Sequence, residues 1–215
     1  MVTDFILVRH GETDYNKNRI IQGWEDIPLN KTGYQQAAVT AEMLRNESFE
    51  EAWFSDLQRA SETAKAVLKY HPGVPAYPEP LLREWKLGII QNKSYPELER
   101  DYPEYEEMLR RESIELAVPG GESRNEFQKR INQAFQELAE RCPGKRILIV
   151  THGGVLVRLY RFLGGEVPPE GRVPVPGNAS VSKVRFDHKT GKWSILVWDQ
   201  RYSPDTADAA VPPVL

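Results

Sequence analysis

Phe5-Ile6-Leu7-Val8-Arg9-His10-Gly11-Glu12-Thr13 is the stretch that decides the fold. Four apolar residues of strand length run directly into an arginine and a histidine. Both side chains are thereby delivered to the carboxyl end of a strand, where open α/β sheets bind their ligands. A second run of the same kind, Arg146-Ile147-Leu148-Ile149-Val150-Thr151, ends in His152-Gly153-Gly154. Two buried strands therefore aim two histidines at one cleft. Taken alone, a histidine after a strand reads more readily as a hydrogen-bonded structural residue, so the wider pattern has to carry the functional reading.

Outward from these two strands, further strand-like runs occur at residues 52–54, 74–77, 181–186 and 193–198, with helical patterns between most of them. Thr32-Gly33-Tyr34-Gln35 has the form of a capping box and opens a segment with Ala37, Ala38, Ala41 and Leu44 on one face. Ser123-Arg124-Asn125-Glu126 repeats that signal. Phe127, Ile131, Ala134, Phe135, Leu138 and Cys142 then recur at three- and four-residue steps before Pro143-Gly144. Ser55-Asp56 reads as an N-cap pair for a helix over 57–70, and a helix over 155–163 follows His152. This alternation predicts a three-layer α/β sandwich, a mostly parallel sheet with helices on both faces. The six residues Asp187 to Lys192 are too few for a crossover, so the last two strands are expected to form an antiparallel C-terminal edge. Residues 1–202 read as one domain with a short cap insert at about 92–118, and residues 203–215, lacking an apolar face, read as a mobile tail.

The chain has 215 residues, 40% of them hydrophobic and five of them Trp, enough for one sizeable core. Its net charge of −3, with basic residues scattered among acids, argues against a nucleic-acid partner and for a small molecule. Cys142 is the single cysteine, which excludes an intramolecular disulfide and leaves a packing role at a helix end. No stretch approaches ~18 uninterrupted apolar residues, so no membrane span is expected. The first strand leaves no room for the apolar region of a signal peptide, and the expected location is cytoplasmic. His71, before Pro72-Gly73, and His188, in the hairpin turn, read as surface residues. No HxxEH-type or Asp-rich cluster occurs, and neither a metal nor another cofactor is expected. The sequence leaves the oligomeric state open, a homo-oligomer included.

The remaining signals form an ordered set. Arg9-His10-Gly11-Glu12-Thr13 with Asn16 comes first, then Ser55-Asp56-Leu57-Gln58-Arg59-Ala60 with Thr63-Ala64, then Leu82-Arg83-Glu84 with Gly88, Gly120-Gly121-Glu122-Ser123, and Thr151-His152-Gly153-Gly154. Across residues 4 to about 200 this set resembles the histidine phosphatase superfamily, the phosphoglycerate mutase-like family. The resemblance implies a small phosphorylated metabolite as ligand and a metal-free mechanism through a covalent phosphohistidine. On that reading His10 is the nucleophile. Its distal nitrogen attacks phosphorus when unprotonated, and its other ring nitrogen donates to a main-chain carbonyl. Arg9 and Arg59 grip phosphate oxygens with planar guanidinium forks. His152 partners the transferring phosphoryl group, and Gly153 and Gly154 let backbone approach an anion. Asn16 donates to the same oxygens, and the Gln22-Gly23 turn touches the ligand from the other side. Glu84, beside apolar Trp85 and Leu87, protonates the leaving oxygen and then takes a proton from the attacking water.

The chain departs from the family pattern at two points. It carries Gln91-Asn92 where relatives commonly read Glu-Gly, and Tyr15 where Trp is more usual. The expected activity is hydrolysis of small phosphate monoesters. The alternatives are a cofactor-dependent phosphoglycerate mutase and a non-catalytic phospho-ligand-binding relative. Mutases of this superfamily resemble one another in a longer, basic insert after the acid and in Arg-His-Tyr-Gly after the glutamate. Here Trp85-Lys86-Leu87-Gly88 follows Glu84, the insert is short and rich in Glu and Tyr, and no added basic cluster is expected near the site. The insert reads as a cap over the site or, equally, as a solvated helix pair.

Overall fold

Strand β1 (Val2–Arg9) divides its side chains between two cores. Phe5 and Leu7 face one apolar cluster, Ile6 and Val8 the other, and all four are buried. Strand β4 (Arg146–Thr151) does the same, with Ile147 and Ile149 on one side and Leu148 and Val150 on the other. A strand covered on both faces has no reason to alternate polar and apolar residues, which is why each run is continuously apolar.

The structure is a computed structural model and describes residues 1–111, 115–167 and 173–201. The remaining strands are β2 (Glu51–Phe54), β3 (Ala76–Pro78), β5 (Val181–Asp187) and β6 (Lys192–Gln200). They form one six-stranded sheet in the order β3-β2-β4-β1-β5-β6. The pairs β3/β2, β2/β4 and β4/β1 are parallel, and β1/β5 and β5/β6 are antiparallel. The mixed sheet with an antiparallel C-terminal edge is thus as the pattern predicts. Its register sets Arg9 opposite Thr151, and the His10 amide extends the ladder to the Thr151 carbonyl at 2.9 Å. His10 and His152 therefore leave the sheet side by side.

Seven helices accompany the described strands: α1 (Asp14–Lys17), α2 (Lys31–Leu44), α3 (Gln58–Leu68), α4 (Tyr95–Asp101), α5 (Pro103–Arg110), α6 (Arg124–Arg141) and α7 (Gly153–Phe162). Phe127, Ile131 and Phe135 of α6 and Leu156 and Leu159 of α7 cover one face of the sheet. Ala41 and Leu44 of α2 with Ala60, Ala64 and Val67 of α3 cover the other. Among the described residues no helix is long and apolar enough to cross a membrane.

Several local expectations are corrected. Helix α2 is not capped by Thr32. Asn30 stands at the N-cap and accepts from the Gly33 amide at 2.8 Å, while its own amide donates to Glu12 at 2.9 Å, so the residue with two partners sets the start. Ala38 is exposed, one helical step off the buried stripe of Ala37, Ala41 and Leu44. Helix α3 starts at Gln58, and neither Ser55 nor Asp56 caps it, because both are drawn into the site. Asp26 supplies the missing acceptor, taking the Gln58 amide at 2.7 Å. His71 and His188 are half-buried rather than free on the surface. His71 packs 4.3 Å from the Phe49 ring, and His188 Nε2 sits 2.8 Å from the Thr3 hydroxyl. Cys142 packs as expected, and burial pushes its thiol up to about 11. The insert contributes α4 and α5, with residues 112–114 outside the described residues. The expected tail at 203–215 lies outside them as well.

The cap assignment is directly testable. Asn30→Ala is expected to lower unfolding free energy by about 1 kcal/mol in urea titration, whereas Thr32→Ala is expected to change it by only a few tenths.

Candidate active site

His10 is buried and fixed at every polar atom but one. Its Nδ1 lies 2.7 Å from the Gly11 carbonyl, an acceptor only, so Nδ1 carries the proton and Nε2 keeps its lone pair. Its own carbonyl accepts from the Ala179 amide and from Asn178 Nδ2, each at 3.1 Å. Gly11 is held in turn by the Thr63 hydroxyl at 3.1 Å, on the helix that carries Arg59. The His152 ring stands 5.1 Å from that of His10. Its Nε2 meets Ser55 Oγ at 2.8 Å, leaving Nδ1 buried and without a hydrogen-bond partner among the described residues. Burial, followed by the nearby Arg59 and Arg9 charges, holds the His10 imidazole well below the usual histidine range. His152 is lowered by burial, Arg59 and His10. Both rings are accordingly neutral at neutral pH.

Arg59 is fully buried, with Nη1 donating to the Glu25 carbonyl at 2.7 Å and Nη2 to the Gly23 carbonyl at 2.8 Å. Its Nε is buried and unpartnered among the described residues. Burial lowers its pKa to about 10, which still leaves it cationic at pH 7. Arg9 repeats the arrangement: Nη1 donates to the Pro176 carbonyl at 2.5 Å and Nε is buried without a partner. Buried N–H donors are nearly always paired in folded proteins. Two arginines that line one cleft, each with a buried Nε–H left unpartnered among the described residues, give that cleft the positive charge that suits an oxyanion.

Glu84 faces this group. Its Oε1 accepts from the Trp85 amide and its Oε2 from the Gly154 amide, each at 2.9 Å. The second contact needs a glycine, since a Cβ on residue 154 would stand 2.2 Å from Glu84 Oε1. The backbone of 81–84 is clamped by Arg130 of α6, which donates to the carbonyls of Leu81, Arg83 and Glu84 at 2.8–2.9 Å and pairs with Glu122. Asp56 meets Arg83 in a two-pronged ion pair at 2.5 and 2.6 Å. Ser55, Asp56 and Glu122 of the sequence pattern thus contact His152, Arg83 and Arg130 in turn.

Asn16 and Gln22 line the same cavity with their oxygens committed. Asn16 Oδ1 accepts from the Thr13 amide and Asn178, and Gln22 Oε1 from the Thr13 hydroxyl, so both NH₂ groups are left to donate. Gly23 and Gly153 complete the set of expected contacts, and all nine expected site residues line one cavity of about 530 Å³ or, for His152, adjoin it through His10. Its far end is walled by the cap helices through Tyr95, Leu109 and Arg110.

No added basic cluster is expected near the site from the sequence, yet the cavity is lined by four further arginines, Arg19, Arg110, Arg124 and Arg158. They come from a loop and three different helices, so no cluster is visible along the chain. Arg110 pairs with Glu106 at 2.9 Å, and Arg124 donates to the carbonyls of Met108 and Arg111. The two departures from the family pattern meet each other. Tyr15 donates its hydroxyl to Asn92 Oδ1 at 2.5 Å, and Asn92 adopts φ 65°, which suits the glycine it replaces. Gln91 keeps the pocket wall closed by accepting from the Trp24 and Leu87 amides at 2.9 and 3.1 Å. Among the described residues no group of three or more His, Cys, Asp or Glu is placed to share a metal ion.

Two outcomes follow from this geometry. A depressed histidine pKa means that the unfolded chain binds protons the folded one refuses, so stability is full above 6.5 and falls as pH drops below it. Urea titrations between pH 7.5 and 5 are expected to show that decline, with a shallower slope in His10→Gln. Gly154→Ala is expected to displace the Glu84 carboxylate and cut kcat by about 10²-fold or more, measured on an unactivated phosphate ester.

A family model described as the histidine phosphatase superfamily (branch 1) matches residues 5–200. Phosphoglycerate mutase-like protein 4 of Arabidopsis thaliana is 36% identical over 198 residues, 91% of this chain and 84% of that protein. A Yersinia pestis protein named "Probable phosphoglycerate mutase GpmB" is 32% identical over 207 residues, 96% and 94% of the two chains. Among solved structures, Bacillus stearothermophilus YhfR matches with a TM-score of 0.84 at 30% identity, covering 93% of this chain and 98% of that one. A mycobacterial glucosyl-3-phosphoglycerate phosphatase in complex with VO3 matches with a TM-score of 0.79 at 29% identity, covering 92% and 98%. The likeness extends from the first strand to the last and takes in every segment that reaches the cleft, and on that ground the chain belongs to the histidine phosphatase superfamily (branch 1).

Proposed function

We propose that this protein is a metal-independent phosphomonoesterase that hydrolyses small phosphorylated metabolites through a phosphohistidine on His10. The observation that carries the reading is His10, its Nδ1 proton committed to Gly11 and its Nε2 lone pair left over, set in one cavity with the guanidinium groups of Arg9 and Arg59 and the carboxyl group of Glu84. His10 Nε2 attacks phosphorus as the bond to the ester oxygen breaks, and the arginines neutralise the phosphoryl oxygens. Glu84 in its acid form gives its proton to the leaving oxygen. The resulting carboxylate, held by the Trp85 and Gly154 amides, then takes a proton from water. That water's oxygen attacks phosphorus, the P–N bond breaks, and inorganic phosphate and neutral His10 are regenerated. The VO3 complex of the mycobacterial phosphatase supports the reading, since vanadate is an oxyanion of phosphate-like shape.

Hydrolysis is favoured over mutase chemistry by the short insert after Glu84. A mutase must keep water away from its phosphoenzyme while the substrate reorients, and the two short helices α4 and α5 offer little lid for that exclusion.

Rapid-quench labelling is expected to trap an acid-labile, base-stable phosphoprotein that His10→Ala lacks, with turnover unaffected by excess chelator. Glu84→Gln is expected to slow alkyl esters by about 10²–10⁴-fold and activated aryl esters far less. With 3-phosphoglycerate and catalytic 2,3-bisphosphoglycerate, phosphate release is expected to exceed isomerisation. Label retained on His10→Ala, equal slowing of all esters, or dominant isomerisation would each reverse its part of the reading.

A further inference from the structure

We infer that Asn178, which lies in the loop before β5, is a positioning residue that fixes the nucleophile and the phosphate-binding Asn16 relative to each other through one amide group. Its Nδ2 donates to the His10 carbonyl at 3.1 Å and to Asn16 Oδ1 at 3.2 Å. Both partners are acceptors, so the link requires an NH₂ group with two protons. A carboxylate of the same shape cannot form it.

The surrounding segment reaches three of the residues given roles above. The Pro176 carbonyl takes Arg9 Nη1, Asn178 takes His10 and Asn16, and the Ala179 amide takes His10 again. The segment is itself pinned from both sides. The Gly177 amide donates to Asp199 Oδ1 of β6 at 2.7 Å, and the Ala179 carbonyl accepts from the Thr40 hydroxyl of α2 at 2.7 Å. Two of its fixing points, Ala179 at φ 56° and Asp199 at φ 51°, occupy the left-handed region without being glycine. Such backbone persists only where surrounding contacts over-determine it.

The Asn178 bond also decides which end of the Asn16 amide faces the cavity. With Oδ1 held by Asn178 and by the Thr13 amide, the Asn16 NH₂ is presented to an anion. Without Asn178 that orientation rests on Thr13 alone, whose amide and hydroxyl each reach Asn16 Oδ1 at 3.1 Å.

The inference rests on the phosphatase reading, because inorganic phosphate, the product of that reaction, is the probe. Calorimetric titration with inorganic phosphate is made on the wild type, Asn178→Ala, Asn178→Asp, Asn16→Ala and the double variant Asn16→Ala/Asn178→Ala. Each single alanine variant is expected to raise the phosphate Kd by about tenfold, the effect of one hydrogen bond to a charged group, and Asn178→Asp by at least as much. The double variant is expected to bind no more weakly than its weaker parent, since Asn178 acts through Asn16. A merely structural role gives losses that add to about a hundredfold. That result, or an unchanged Kd in Asn178→Ala, overturns the inference. If the alanine variant fails to fold by thermal unfolding, the similarly sized and uncharged Asn178→Leu takes its place in the same cycle. A wild type that neither binds phosphate nor turns over esters removes the phosphatase reading and the inference together, whereas a binding wild type with indifferent Asn178 variants removes only the inference.

Discussion

Burying the Arg59 guanidinium against two backbone carbonyls, with no carboxylate in ion-pair contact among the described residues, is the constraint around which this protein is built. A desolvated cation without a counter-ion costs several kcal/mol, and the fold tolerates it only by fixing every donor that does not face the cleft. The carbonyls of Gly23 and Glu25 serve that end, and their loop is held by Gln91 through the Trp24 amide and the Glu25 side chain. Burial first, and the same field after it, keep two imidazoles neutral. On the proposed reading, the cation pair that helps hold His10 unprotonated would also attract the negative charge of a phosphoryl group.

Around that field the structure supplies rigidity. Thr63 ties the helix of Arg59 to the backbone of Gly11 beside His10, Ser55 contacts His152, and Arg130 fastens the segment that bears Glu84 to α6. All four described non-glycine residues with left-handed backbone, Arg19, Asn92, Ala179 and Asp199, lie on loops or strand ends bordering the cleft or its supports. Local strain gathered there is what a site over-determined by its surroundings contains.

The sheet was legible because burial on both faces leaves a signature that needs no partner to interpret. Phe5 to Val8 and Ile147 to Val150 read as strands from their own composition. His10, Arg9 and His152 were legible because strand ends place them. Other features depend on pairs that the linear chain separates. Ser55 looks like a helix cap until His152, 97 residues on, claims its hydroxyl. Asn30 and Thr32 compete for one helix start, and only Glu12 decides between them. The arginines lining the far wall were hidden by their dispersal over four segments. Asn178 gave no signal, since an asparagine in a loop before a strand is ordinarily a turn former.

The antiparallel β5/β6 edge has a consequence for how the molecule comes into being. Arg9 and His10 belong to the first strand, yet they receive hydrogen bonds or carbonyl partners from Pro176, Asn178 and Ala179, about 170 residues later, and that segment is anchored in turn by Asp199 of the last strand. Contacts of such sequence separation form late, after the local helices and the parallel pairs nearer in the chain. During synthesis from the amino terminus, the parallel half of the sheet therefore precedes a competent site. The cleft is completed only when the closing hairpin docks, on a chain whose fold is finished.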